Sequence, residues 1–594
     1  MSESPSSFVE RSRFERRAEL ARLARDHNTD IGVILGFSWL FNGTQAHADY
    51  IGGLDTNKIL SSLTKLTKSA PWDVRWSNTE LATKEKSVLP PLKDALVDAA
   101  PVDIYQKETA EERRKRRRNN YRDFAGILAQ IDTATIASFA LDILQARHEK
   151  VHDYSLPPLP FPRVGGPSFG SAHVFYSIEF YDGTKWIIKI PANGTPDIWD
   201  KLSAETMRTE ALTLNLLKTE TSVPVPEIID ADSSPHNEVH APYLIMEFIE
   251  GRTLDSVWFG EPGDDEEKIK EKRTKVLNGL ARAMLQLGRY EFERGGAPVF
   301  DGEGFLVDVG PLRELDVQAM VDRWLDNEDC ERGPLYTSVG PFTGAAEMHT
   351  GLLDLYPCDI ESCVGVDRLL RLLVGLIREP TGLGHGGGKE KERKKKEFVL
   401  AHPNLSMRNV IVSDDGTLKG ILGWDGVRAA PKSVGNEALP CWLVRDFNPF
   451  VWRWRPPAEF WRRKNGEERA QEGFNRFEDA PWVLRELRDE YAKIIRGLKK
   501  EKGGGMDAND EVDVTKQSLL ALSLDAAVRD PRCRTAVLRR ILDKCSRTSE
   551  GFDFGYIVEG LQDGGRLDGY RRKCLERNLR ELVDRGYVRG AVVW

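Results

Sequence analysis

The sequence lacks any run long enough to cross a membrane. Its most apolar stretch, IGVILGFSWLF from Ile31 to Phe41, is about half of the ~20 residues a spanning helix needs. It also begins too far inside, behind charges of both signs, to read as a signal peptide, so a buried helix or strand is expected there and no membrane partner. A surplus of positive charge is missing too. The net charge of -8 offers no general attraction for nucleic acid or anionic lipid. Cysteine is sparse: Cys330, Cys358, Cys363, Cys441, Cys533, Cys545 and Cys574 are odd in number and form no CxxC. That pattern makes neither a disulfide frame nor a zinc site, and it leads us to expect reduced thiols in the cytoplasm. No HExxH, GxSxG or GxxxxGK[ST] occurs, and no internal repeat is found.

What is present is a chain of 594 residues with 40% hydrophobic and 30% charged residues, a globular composition too long for one core, so two to four packed units are expected. Residues 1–155 read as a charged, helical N-terminal extension. It carries one basic run, Arg113 to Arg118, open to two readings: a polyanion-binding or nuclear-import patch, or a solvated helix face partly neutralised by Glu111 and Glu112. The prolines of YSLPPLPFPRVGGP then forbid a continuing helix. HVFYSIEF and KWIIKIP read as strands joined by a YDGTK hairpin turn, KLSAETMRTEALTLNLLK as a helix, and VPVPEIIDAD and PYLIMEFIEG as two more strands. After Gly251 the texture reads as mostly helical. GLGHGGGKEKERKKKE, residues 382–397, reads as a flexible charged insertion, and KKEKGGGMDANDEVD as a second linker before a C-terminal helical region, 513–594. There Leu575, Leu579 and Leu582 fall at i, i+4, i+7, a core stripe.

The chemistry is suggested by a strand with a buried cation followed by a helix with an inward carboxylate. Lys189 sits in IIKIP, where an unpaired ammonium is costly. Glu210 shares a helix face with Met207, Leu214 and Leu217, so a Lys189–Glu210 ion pair is expected. Ahead of it, VGGPSFGSA offers backbone N–H groups to phosphate. Further on stands HPNLSMRNVIVSDDGTLKGILGWDGVRAAP, His402 to Pro431. Its DDG reads as a hairpin turn, and FVWRWRPPAEFWRR either as an interfacial surface or as aromatic plating of a helical lobe.

From Phe161 to about Pro449 the chain resembles the aminoglycoside phosphotransferase and choline kinase-like family. The motifs that carry this are the glycine turn, WIIKIP, EALTLNLLK, TSVPVPEI, LIMEFIEGRTL, HPNLSMRNVIV and GILGWDGVRA, in that order. The resemblance implies an α+β, protein-kinase-like two-lobe fold: a small antiparallel-sheet lobe over 156–251 and a helical lobe over 252–498, flanked by helical extensions. It also implies ATP and Mg²⁺ as cofactors and a small-molecule substrate. Lys189 and Glu210 would anchor the nucleotide, Ser168 and Gly170 would lie over its phosphates, and Met246, Glu247 and Phe248 would form the hinge that meets the adenine.

The family pattern is close to HxDLxxxN, followed after a hairpin by an Asp before Trp. Here His402, Leu405 and Asn409 fit, but Asn404 occupies the Asp position and Gly423 replaces the Asp that precedes Trp424. An amide cannot take the proton that a general base accepts, an effect worth about 10²–10⁴ in rate. Glycine offers Mg²⁺ no side-chain ligand. Two readings follow. In one the chain is a pseudokinase that binds nucleotide and serves as a binding or scaffolding module with a protein partner. In the other it is an active kinase whose metal has moved to Asp425 with Asn409, although one strand step displaces a carboxylate by about 6.6 Å. His402 is expected to hold the loop structurally.

Overall fold

The computed structural model describes residues 124–152, 159–260, 264–316, 319, 335–355, 364–377, 379, 396–452, 454, 478–501, 513–531, 533–546, 553–562, 567–585 and 588. The apolar stretch at 31–41, the basic run at 113–118, most of the 382–397 insertion, most of the 499–513 linker and Trp461 lie outside the described residues.

Turn chemistry and side-chain alternation build the first sheet. Asp182 Oδ1 accepts the Thr184 N–H at 2.9 Å and Gly183 donates back to Phe180. This closes a hairpin between β3 (His173–Glu179) and β4 (Lys185–Pro191). Period-two alternation sends Ile188 and Ile190 to one face with Val174, Tyr176 and Ile178, and sends Ile187 and Lys189 to the other. With β1 (Arg163–Val164), β2 (Ser168–Phe169), β5 (Ile228–Asp232) and β6 (Tyr243–Glu247), the antiparallel order is β1-β3-β4-β6-β5, with β2 also on β3.

Helices cover both faces. On the first, α1 (Ala125–Leu128) and α2 (Thr133–His152) contribute Ile127, Ile136 and Ala140 to the sheet's core. Full burial of an Ile stabilises by about 1.5–3 kcal/mol, so these segments ahead of the proline linker are bound into the small lobe. On the second face lies α3 (Lys201–Glu220). Asp200 caps it by accepting the Ser203 N–H at 2.6 Å, the usual role of an N-cap carboxylate. Its buried stripe runs Ser203, Met207, Glu210, Ala211, Leu214, Leu217.

The larger lobe is built on helices α4 (Glu266–Met284), α5 (Ala345–Asp354), α6 (Val364–Val374) and α7 (Pro481–Glu501). The expectation of helix after Gly251 is incomplete, because short antiparallel pairs intervene. β7 (Arg252–Thr253) lies on the hairpin of β14 (Val410–Val412) and β15 (Leu418–Ile421). β13 (Phe398–Ala401) lies between β8 (Glu291–Phe292) and β16 (Arg428–Pro431). β9 (Ala297–Phe300) pairs with β10 (Leu306–Gly310), and β11 (Leu312–Leu315) with β12 (Tyr336–Val339). Apart from the 410–421 hairpin, these strands are too short to declare themselves by alternation. The β13–β14 and β15–β16 connections carry the His402–Asn404 and Gly423–Asp425 segments.

The C-terminal helices α8 (Val514–Arg529), α9 (Arg534–Cys545), α10 (Phe554–Gln562) and α11 (Gly569–Arg585) share the large lobe's core, with Leu524, Leu538, Leu575, Leu579 and Leu582 packed in one cluster with Leu369 and Leu443. Trp452 stacks on Trp454 at 5.8 Å, Trp454 meets Trp482 edge-on at 5.2 Å, and Arg540 lies over Trp452. These contacts pack Trp452 and Trp454 against the lobe.

Candidate functional site

Strand alternation and helix periodicity bring Lys189 of β4 and Glu210 of α3 face to face. The ammonium donates to both carboxylate oxygens at 2.7 Å, and the residues are 6% and 4% exposed. Burial pushes the Glu210 carboxyl upward, Lys189 draws it back, and Asp425 pushes it up again.

In the β13–β14 connection, His402 holds its loop through both ring nitrogens. Nε2 lies 2.8 Å from the Leu422 carbonyl, which can only accept, so Nε2 carries the proton; Nδ1 then accepts the Asn404 N–H at 3.1 Å. Packed edge-on against Trp424 at 4.7 Å, His402 has its pKa lowered to about 4, chiefly by burial. It is a neutral structural tie. Asn404 is exposed, and its carbonyl accepts from Asn409 Nδ2 at 2.8 Å. Asp415 accepts from Thr417 N–H in the hairpin turn and pairs with Lys275, a turn role. The fold is protein-kinase-like.

Where the resemblance expects a metal-binding Asp, Gly423 has no side chain. Gly423 has φ +80°, and a Cβ there would come within 2.7 Å of Asn409 Nδ2 and 2.8 Å of its Cγ. The Asn409 amide therefore fills the space beside Gly423 and is itself tied to the Asn404 backbone. Among the described residues no three His, Cys, Asp or Glu side chains converge as a metal-ligand set. Gly423 contributes no side-chain ligand for Mg²⁺ at this place.

Asp425 faces a different set of groups. Its carboxylate is 3.7 Å from His173 Nε2, the first residue of β3 after the glycine turn. Burial opposes its ionisation, but the charge of Lys189 foremost, with that of Arg313, holds its carboxyl below the usual range. His173 is pushed down to about 3, first by burial and then by Lys189, with Arg313 adding to the effect and Asp425 opposing it. Arg313 lies over the Tyr336 ring, 3.3 Å from its centroid, and Nη2 donates to Ser203 Oγ on α3 at 2.9 Å. Sequence reasoning missed both His173 and Arg313. His173 is two positions from Phe175, which pairs with Lys189, so alternation alone puts it on the lysine's face. Arg313 gives no local signal.

The other residues expected in the site are constrained by the sheet. The Glu247 N–H donates to Glu227 O at 2.9 Å and the Phe248 N–H to Lys185 O at 3.1 Å. Neither is left for an adenine ring, and Ile249 supplies the next N–H along the chain. Met246 is buried against Met207 and Leu244. Ser168 is paired in β2, and the Gly170 N–H closes onto His173 O at 2.8 Å, leaving Ser171 and Ala172 at the tip of the turn.

No protein-family model matches the chain. Three proteins named "Altered inheritance of mitochondria protein 9, mitochondrial" are similar to parts of it. That of Candida albicans is 26% identical over 165 residues, 27% of this chain and 26% of its own length. That of Kluyveromyces lactis is 20% identical over 299 residues, 45% and 48%. That of Eremothecium gossypii is 22% identical over 340 residues, 51% and 54%. The chain thus spans about a quarter to a half of the relatives it matches. Their mitochondrial naming overturns the cytoplasmic expectation. Reduced thiols separate oxidising from reducing compartments and do not say which reducing compartment holds the protein. Among solved structures, a macrolide 2'-phosphotransferase from Brachybacterium faecium is 13% identical, covering 74% of this chain and 98% of that one at a TM-score of 0.31. A Plasmodium vivax ethanolamine kinase is 12% identical, covering 63% and 84% at 0.24. Nothing about this chain's activity follows from scores of that size.

Proposed function

We propose that the chain binds a nucleoside triphosphate between its two lobes and transfers the phosphoryl group very slowly or not at all, acting as a binding or scaffolding module toward a small-molecule or protein partner. The observation that carries this reading is the intact Lys189–Glu210 pair above a loop that has lost both carboxylates, Asn404 and Gly423. A buried ion pair of this kind is a weak stability device, whereas an aimed ammonium is what a phosphate site requires. The missing base and metal ligand act on the same step, so their losses compound.

A second reading, an active phosphotransferase using Asp425, draws on the lowered pKa of that carboxyl. The two readings separate in one experiment. Thermal shift with ATP, for wild type and Lys189→Ala, is followed by an ATP-turnover assay. Binding lost in Lys189→Ala with negligible turnover supports the first reading. Brisk Mg²⁺-dependent turnover abolished by Asp425→Asn would replace it with the second.

A further inference from the structure

We propose that Arg313, together with Lys189, takes the nucleotide's phosphates in place of a divalent cation, so that nucleotide binding here does not depend on metal; this rests on the nucleotide-binding reading above. In the kinase template the metal bridges and neutralises phosphate oxygens. Gly423 offers that role no side chain, and Asn409 commits its Nδ2 to the Asn404 carbonyl, so a cation of the protein itself is called on to share the charge of a bound nucleotide.

Arg313 is the side chain placed to do so. Ser203, Met207 and Glu210 form one buried stripe of α3 at i, i+4 and i+7, and Arg313 reaches that same face by donating to Ser203 Oγ. The guanidinium carbon lies 3.3 Å from the centroid of the Tyr336 ring, a contact that anchors the group while leaving N–H donors for hydrogen bonding. Its Nε is buried and has no partner, and no carboxylate lies within salt-bridge reach of it among the described residues. An unanswered buried N–H of a charged group is costly, and a phosphate oxygen answers it. The charge of Arg313 acts on His173 at the end of the glycine turn and on Asp425 below the Lys189–Glu210 pair. A planar fork suits phosphate oxygens bidentately, as an ammonium does not.

The test measures ATP binding to the full chain by calorimetry, in excess EDTA and in Mg²⁺, for wild type, Arg313→Ala and Lys189→Ala. Wild type is expected to bind ATP in EDTA about as well as in Mg²⁺, and Arg313→Ala to weaken the EDTA measurement about tenfold or more. If Arg313→Ala melts early without nucleotide, Arg313→Gln, which keeps packing over Tyr336 without the charge, reads the same loss. ATP binding that requires Mg²⁺, or EDTA-resistant binding that Arg313→Ala and Arg313→Gln leave unchanged, overturns the proposal and leaves the nucleotide reading standing. Absence of ATP binding in both conditions overturns the reading itself and the proposal with it.

Discussion

Replacing Lys189 with Met keeps much of its length and removes its charge, and the outcome follows from the surroundings of Glu210. That carboxylate is 4% exposed and receives the lysine ammonium on both oxygens at 2.7 Å. Breaking one side of such a buried pair costs about 3–5 kcal/mol, because the remaining charge is left without compensation. Glu210 escapes part of that cost by taking up a proton, since burial and the nearby Asp425 already push its carboxyl up. A carboxyl whose folded pKa is raised favours the folded state most below its unfolded value, near 4.5, and loses that stability as pH rises toward the folded value. Lys189→Met should therefore be close to wild type in mild acid and fall behind by about 1.4 kcal/mol per pH unit above that range, until the folded pKa is passed. Urea denaturation followed by circular dichroism from pH 4.5 to 8 measures this, and Glu210→Gln in the Lys189→Met background should flatten the slope. A Lys189→Met variant within about 0.5 kcal/mol of wild type at every pH would refute the buried, uncompensated carboxylate.

Gly423→Ala should cost about 1–2 kcal/mol, since φ +80° is unfavourable for a residue with a Cβ and that Cβ meets the Asn409 amide. In an Asn409→Ala background the same change should cost less, and equal costs in both backgrounds would show that the two side chains do not compete for the space. His402 has a depressed folded pKa, about 4, so the unfolded state takes its proton first as pH falls. Wild-type stability should decline from about pH 6.5 down to about 4, and His402→Gln should remove that part of the decline in urea midpoints. An unchanged acid profile in the variant would contradict the neutral, doubly hydrogen-bonded ring.

The parts of the site legible in the sequence are those set by short-range periodicity. Lys189 and Glu210 are separated by 21 positions, and each declares its face by alternation or by a helical stripe. Asn404, Asn409 and Gly423 stood out only through the family resemblance, as departures from or matches to its pattern at set distances from His402. What escaped depends on tertiary closure. Arg313 reaches α3 across 110 positions from a four-residue strand that no periodicity announces. That sheet pairing takes the N–H groups of Glu247 and Phe248 is likewise set by tertiary closure. The closed space beside Gly423 is a matter of φ and of Asn409's rotamer, neither of which is written in residue identity. His173 is the intermediate case, visible by alternation from Phe175 yet easily read as an ordinary strand residue.

The central claim is that nucleotide is held and not turned over. Incubating the full chain, in excess over γ-labelled ATP, and then chromatographing the bound fraction tests it most directly. The account predicts that label stays with the protein and is recovered as intact ATP after hours, and that Lys189→Ala retains none. Bound label converted rapidly to phosphate or to a phosphorylated product, in a manner lost in Asp425→Asn, would contradict it.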